Sequence, residues 1–470
     1  MDTRTMYGRR VITTDVEEIT AANVVDVLQK AMSTHELNRG EMEYLWNYYR
    51  GKQPILTRVK TVRPEICNKI IENRANEIVS FKVGYLCGEP IQYIGRNSDE
   101  AISQGITTLN EYMFLVDKPS LDKEVVEWQM IVGTANRMVL PNADYDKDGD
   151  ESPFEMYTLD PRDSFVVYSN DVKRKRLMGV KYNIDEFGFK TYSVYTDKEC
   201  FTIEGDQLTS SVGHALGVVP IFEYPANNAR LGSFEIVLPL LDSINNIESN
   251  RMDGVEQFVQ AFIKFINCEI SKEQFEELRA AGGIQVKSLE GQPADVDIVS
   301  SELNQQQTQT LKEDIYKSIL TICGMPSMSD GNTSDSSNNG AVILKNGWQG
   351  AETRAKDSEL MFKRSEKEVL KLVLGVCSTL ADLNLKLKDI DMKFTRRNYD
   401  NIQSKSQVLV SMLQQPKIHP LLAFTHCGLF SDPESAYTMS NDYYEEQMEK
   451  WEPVTVDENV NEDDSNVQAG

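Results

Sequence analysis

The sequence holds no Cys-x-x-Cys pair, and its seven cysteines, Cys67, Cys87, Cys200, Cys268, Cys323, Cys377 and Cys427, are odd in number and widely scattered. That spacing excludes a zinc ribbon and a disulfide framework, and it fits a reducing compartment. Cations are scarce too: 49 Lys and Arg stand against 73 Asp and Glu, a formal net charge of -24. A chain so balanced repels a polyphosphate, so contact with nucleic acid has to be local or weak. No apolar run approaches the length of a membrane span, the best being VLKLVLGVC from Val369, and the N-terminus MDTRTMYGRRVITTDVEE lacks a signal-peptide core. A soluble protein made in a cytoplasm is expected, with no membrane partner. Catalytic signatures are missing as well: there is no phosphate-binding loop with its lysine, no nucleophile elbow and no His-Glu-x-x-His. Carboxylates are spread so evenly that no acid-base pair stands out. The expectation is a non-enzyme without a cofactor.

What is present is a globular composition, 40% hydrophobic and 26% charged over 470 residues, enough for about three domains or one extended multi-part architecture. Only the end, residues 453–470, has the acidic, apolar-poor composition of a disordered tail. Helical periodicity covers about 15–49 with a break near Asn38 to Gly40, then roughly 68–84, 98–114 and 121–133, while EPIQYIG alternates like a strand. Between Arg137 and Tyr224 the period changes to two, and RMVLP, FEMYTL, SFVVYS, LMGVKYNI, KTYSVYT and CFTIE predict an antiparallel sheet. The basic run Lys173 to Arg176 falls between two of these strands and reads as a solvated turn.

From Ser233 the period is helical again. Val237, Leu241, Ile244, Ile247, Val255, Phe258, Phe262 and Phe265 hold one apolar stripe for about nine turns, with Asp242, Asn246, Glu248, Asn250, Asp253 and Gln257 opposite. Such a rod is a coiled-coil element or a wall shared with neighbouring subunits. Next come a short helix at 272–281 and the strands GIQVKSL and ADVDIVS. A helix carrying Leu311, Ile315, Ile319 and Ile322 then stops at Gly324 and Pro326. The stretch SMSDGNTSDSSNNG has nothing to bury and predicts a mobile polar loop. A long charged helix over about 341–385, with Gly347 and Gly350 as kink points, the strand DIDMKFTRR, and two or three short helices between Asn401 and Trp451 complete the chain.

Two motifs invite a metal. In DYDKDGDESPFE, carboxylates Asp144, Asp146, Asp148, Asp150 and Glu155 and the glycine Gly149 follow the spacing of an EF-hand calcium loop. Its flanks are strands rather than helices, Pro153 lies inside it, and Glu151 stands where an aliphatic side chain is usual. Asp-Gly between alternating segments is a hairpin signal, so a turn is expected and a lone calcium site is the alternative. His419 and His426 with Cys427 lack partners at ligand spacing and read as structural.

The order of elements, together with particular stretches, resembles the portal proteins of tailed double-stranded-DNA bacteriophages, of siphovirus type. NKIIENRANEIVSFKVGYLCGEPIQY and the preceding YYRGKQPIL are similar to that family's N-terminal region, TLDPRDSFVVYSND to its sheet segment, and ICGMPSMSD with GAVILKNGWQGAETRAKDSELMFKRSEKEVLKL to its loop and long helix. The resemblance covers about residues 42–451. It implies an α+β, predominantly helical fold in the portal architecture of wing, stem, clip, tunnel loop and crown, assembled as a dodecameric ring. Wing residues are then 1–232, the first stem helix 233–266, the clip 267–307, the second stem helix 308–324, the tunnel loop 325–340, the long wing helix 341–386, a wing strand 387–400 and the crown 401–452.

The implied function is a channel at the capsid vertex of the virion, assembled in the bacterial host cytoplasm. Viral DNA enters through it under the terminase motor and later leaves, and a head-to-tail adaptor attaches to it. Implied partners are the terminase large subunit, the adaptor, the major capsid and scaffolding proteins and, in transient non-specific contact, double-stranded DNA. Channel-lining candidates are Glu248, Asp253, Lys264, Ser334, Asp335, Ser336, Ser337, Asn338, Asn339 and Lys345; Lys287, Glu290 and Gln292 are candidates for the clip face toward motor and adaptor. The competing class is a capsid scaffold or tail adaptor without a channel.

Overall fold

The computed structural model describes residues 8–96, 100–259, 262–266, 273, 295–299, 305–326, 347–396, 402–430 and 433–449. They fall into two compact units, 1–397 and 398–470. The first begins with β1 (Ile12–Thr14) and α1 (Val24–Tyr49), then α2 (Arg74–Cys87), β2 (Gln92–Gly95), α3 (Glu100–Leu115) and α4 (Lys118–Val132). Helix α1 runs unbroken through the expected interruption. Asn38 is there to hold the chain's own N-terminal segment: its side-chain amide accepts from Arg10 N–H and donates to Arg10 C=O, both at 2.9 Å.

All six strands read from the period of two are present, as β3 (Thr134–Pro141), β4 (Phe154–Leu159), β5 (Ser164–Ser169), β6 (Arg176–Ile184), β7 (Lys190–Tyr195) and β8 (Glu199–Glu204). The structure adds β9 (Gln207–Gly213) and β10 (Ile221–Pro225), and it divides the region into two sheets, ordered β1-β5-β6-β7-β8-β9 and β10-β3-β4. The larger is an antiparallel meander except at its edge, where β1 joins β5 in parallel. Val24, Val27, Leu28 and Ala31 of α1 cover it, packed with Val167, Val180, Val194 and Phe201. Strand β9 escaped the reading because it is almost wholly exposed and carries no alternating apolar set.

The chain continues through α5 (Leu238–Val259), the antiparallel pair β11 (Phe262–Ile266) and β12 (Asp295–Val299), α6 (Gln305–Cys323), α7 (Trp348–Leu380) and β13 (Ile390–Lys393), which pairs with β2. Two expectations change. The rod from Ser233 is not one helix to Ile266: it ends at Val259, and Phe-Ile-Lys-Phe-Ile pairs as a strand with Asp295–Val299. Phenylalanines three apart suit a helical stripe, but a β-rich pentapeptide with a partner strand available pairs instead. Helix α7 begins at Trp348, with Gly347 at φ 78 as its cap rather than a kink. GIQVKSL, most of the helix expected at 272–281, and residues 341–346 lie outside the described residues.

A buried charge network ties α7 to the sheets. Lys118 Nζ donates to both Asp122 oxygens at 2.7 Å and lies 3.1 Å from Glu366; Arg137 reaches Asp122 at 2.7 Å and Glu366 at 3.2 Å. The hydroxyls of Tyr93 and Tyr224 donate to Glu366 at 2.6 and 2.5 Å. Two cations meet two carboxylates, none more than 3% exposed. Burial opposes ionisation of Glu366, but Lys118 and Arg137 outweigh it and hold the carboxyl well below its ordinary range.

His35 sits in the interface between α1 and the larger sheet, stacked on Phe165 at 4.4 Å, with Nε2 3.0 Å from the Arg162 carbonyl and 3.2 Å from the Tyr182 hydroxyl. Burial pushes its pKa down from 6.5 to about 4. A folded value below the unfolded one means that the stability is present above pH 6.5 and lost as pH falls toward 4, where the unfolded chain takes the proton first. The loss is expected to reach about 3 kcal/mol. Urea midpoints measured from pH 7 to 4 test this, and His35→Gln is expected to flatten that limb.

The second unit holds α8 (Ile402–Leu413), α9 (Pro420–Cys427) and α10 (Pro433–Glu449). Phe424 stacks on Phe430 at 5.2 Å and meets Tyr437 edge-on. His419 caps α9, its Nδ1 accepting from Leu421 N–H at 3.2 Å, which is the structural use expected for it.

Candidate channel wall

Helix α5 packs on α6, and the polar residues of α5 are where the sequence points to a water-filled channel. Five of them, Asp242, Asn245, Ser249, Asn250 and Asp253, hold the chain's own segment 48–73. Asn68, Ile70 and Glu72 donate their backbone N–H groups to Asp253 Oδ1 (2.7 Å), Ser249 Oγ (2.9 Å) and Asn245 Oδ1 (2.8 Å). Four residues of helix advance about 6 Å and two residues of extended chain about 6.6 Å, so every second amide meets every fourth side chain. The ladder satisfies the donors of a segment that has no strand partner. It continues with Tyr48 Oη donating to Asp242 (2.8 Å), Asn245 donating to Gln53 (2.5 Å) and Arg58 donating to Asn250 (2.5 Å).

Asp253 is thereby corrected as a channel-lining residue. It is 3% exposed, with Lys60 and Arg58 each at 3.0 Å, and assembly can only reduce that exposure. Burial alone would raise its pKa, but the Asn68 amide, Lys60 and Arg58 outweigh it and hold the carboxyl below the usual range. Glu248 is half-buried between helices: Lys312 of α6 lies 2.6 Å from it and 2.8 Å from Glu72, and Arg251 lies 3.0 Å from it. Those cations depress its carboxyl despite partial burial. Lys264 lies on β11 opposite Asp297, not on a helix. Ser334, Asp335, Ser336, Ser337, Asn338, Asn339, Lys345, Lys287, Glu290 and Gln292 lie outside the described residues.

Helices α5 and α6 also leave apolar side chains in water: Met252 is 42% exposed and Val255 44% on α5, Leu311 53% and Ile322 40% on α6. Around Asp253 the usual arrangement is inverted, the carboxylate inside and its apolar neighbours outside. Val255, Leu311 and Ile322 were legible as apolar stripe positions. The covering role of Gln53, Arg58 and Asn68 was not, since nothing in YYRGKQPIL signals a helix partner about 190 residues away.

The acidic stretch 144–155 forms the turn of the β3–β4 hairpin. Asn142 N–H donates to Pro153 O (3.0 Å), Gly149 N–H to Asp146 O (3.2 Å) and Asp148 N–H to Asp146 Oδ1 (3.1 Å). Glu155 lies in β4 opposite Leu140 and accepts from Tyr157 Oη. Among the described residues no three His, Cys, Asp or Glu side chains converge to hold a metal ion, and no helix is long and apolar enough to cross a membrane.

Helices α5 and α6 pack together with apolar side chains left exposed, on a chain of mixed helix and sheet, the kind of surface that association ordinarily covers. The sequence profile of the family described as phage portal protein, SPP1 Gp6-like, matches residues 29–455, and the chain belongs to that family. It is a portal protein of the capsid vertex, a subunit of a homo-oligomeric ring in a phage particle, and its family is structural rather than enzymatic. Among solved structures it is similar to a chain from the neck of an empty GTA particle computed with C6 symmetry (TM-score 0.43, 13% identity, 76% of this chain and 90% of that one). It is similar also to a chain from the virion of a native gene transfer agent particle (TM-score 0.42, 13% identity, 76% and 89%). No curated protein sequence matches.

Proposed function

We propose that the ring is a dodecamer whose stem is built from α5 and α6, with residues 267–307 as the clip, 325–340 as the tunnel loop, 1–232, the long helix and 387–400 as the wing and 401–452 as the crown. DNA passes through it inward under the terminase large subunit and outward after the head-to-tail adaptor has attached, and capsid and scaffolding proteins surround the wing. Glu248, Lys264, Ser334 to Asn339 and Lys345 face the channel, and Lys287, Glu290 and Gln292 face motor and adaptor. A net charge of -24 suits a conduit, because each lysine-phosphate contact made would have to be broken during translocation.

The observation that carries this reading is the exposed apolar set Met252, Val255, Leu311 and Ile322 on α5 and α6, while Asn245, Ser249 and Asp253 of α5 are buried against their own chain. Neighbouring subunits cover such a face in a ring. Met252→Asp, Val255→Asp and Leu311→Asp are expected to abolish ring formation in native mass spectra while leaving subunit unfolding unchanged. Rings assembled by all three variants would refute this stem packing.

A further inference from the structure

The turn between β5 and β6, strand β10 with its flanking residues 217–230, and helix α7 enclose an open cleft of about 720 Å³. Lys173, Arg174, Lys175, Arg176 and Arg364 line it, cations concentrated in one place on an acidic chain. Lys175 pairs with Asp197 at 3.5 Å, and Arg176 lies over Phe222 with Glu368 3.9 Å away. Lys173, Arg174 and Arg364 are exposed and have no ion-pair partner among the described residues.

The β3–β4 turn carries the opposite charge. Asp144, Asp146, Asp148, Asp150 and Glu151 are exposed and meet no cation among the described residues. Its lysine, Lys147, is drawn away to Asp382 at 2.5 Å, and Tyr145 is 3.3 Å from Tyr112 of α3. These contacts moor the turn beyond the C-terminal end of α7 at Leu380, whereas the cleft is at Arg364, about 24 Å back along the same helix. The turn is thus held away from the cleft of its own chain.

A ring contact is heterologous: one face of each subunit meets a different face of the next, so both halves of a complementary pair must stand on one chain at separate places. We propose that the acidic β3–β4 turn of one subunit seats in the basic cleft of its neighbour, resting on the ring assembly described above. Asp197, Glu223 and Glu368 interleave with the cleft cations, a mixed lining that suits a short acidic peptide better than a continuous phosphate backbone. Pairing across the interface fixes the angular register of neighbours and screens out like-charged alignments.

Carbodiimide coupling of rings assembled from mixed 14N- and 15N-labelled full-length subunits tests it. Hybrid isopeptides joining Lys173 or Lys175 to residues 144–155 are expected. In parallel, Lys173→Glu/Arg174→Glu/Arg364→Glu and Asp144→Lys/Asp146→Lys/Asp148→Lys are each expected to weaken assembly about tenfold, and the two sets combined to restore it. All six positions are exposed, so subunit thermal unfolding stays at the wild-type value. A wild-type ring without such cross-links, or two losses that do not restore each other, overturns the contact. A cleft variant that assembles normally but loses retention of duplex DNA assigns the cleft to nucleic acid and also overturns it. A wild-type chain that forms no ring overturns the ring reading itself and this contact with it.

Discussion

Glu366→Ala is expected to destabilise the first unit by about 4 kcal/mol, because it leaves Lys118 and Arg137 sharing one carboxylate in a site closed to water. The desolvation cost of a buried pair can match or exceed its Coulombic gain, and removing one partner leaves that cost uncompensated. Tyr93 and Tyr224 lose their acceptor at the same time. Lys118→Met combined with Glu366→Leu removes one charge of each sign and leaves the Asp122–Arg137 pair intact, so it is expected to recover more than half of the loss. Urea unfolding of the three proteins measures both effects. A cost under about 1 kcal/mol for the single substitution would mean that the network is solvated and does not hold α7.

Gly133→Ala is expected to cost about 3 kcal/mol. Gly133 joins α4 to β3 at φ 84, and an added Cβ would lie 2.1 Å from the Arg230 carbonyl oxygen. Ala226 N–H donates to Gly133 O and Ser233 N–H to Met130 O, so the corner and the segment leading to α5 are locked together and neither can yield. The left-handed conformation alone costs a residue with a Cβ about 1–2 kcal/mol, and the overlap adds to it. Gly188 provides the control: its φ is 82, but nothing lies within 4 Å of an added Cβ. Gly188→Ala is therefore expected to cost about 1 kcal/mol, and equal costs at the two sites would contradict the packing argument.

FEMYTL could be read from the sequence because its buried face alternates, whereas SFVVYS, buried at four consecutive positions, was legible through its β-branched and aromatic residues; both have the boundaries read for them. The failures have physical causes. Asn38 looked like a helix breaker because its partner, the Arg10 backbone, is remote in sequence. Phe262 and Phe265 continued a helical stripe that the pairing with Asp295–Val299 interrupts. Asp253 looked channel-facing because a polar stripe opposite an apolar one ordinarily meets water, whereas here it meets the amides of residues 68–72. In the charge network only Lys118 and Asp122 stand at a local spacing, i and i+4 on α4; Tyr93, Arg137, Tyr224 and Glu366 join them from remote parts of the chain, which no local pattern connects. The acidic turn gave its geometry away through its flanking strands rather than its carboxylates.

The central claim is that α5 and α6 form the wall of a closed channel, packed through Met252, Val255, Leu311 and Ile322. Cryo-electron microscopy of the purified full-length chain tests it most directly. The account predicts a closed ring with a central hole, these four side chains buried between subunits and Asp253 still held by Lys60 and Asn68. A ring in which they face solvent, or a chain that stays monomeric under every condition tried, would contradict it.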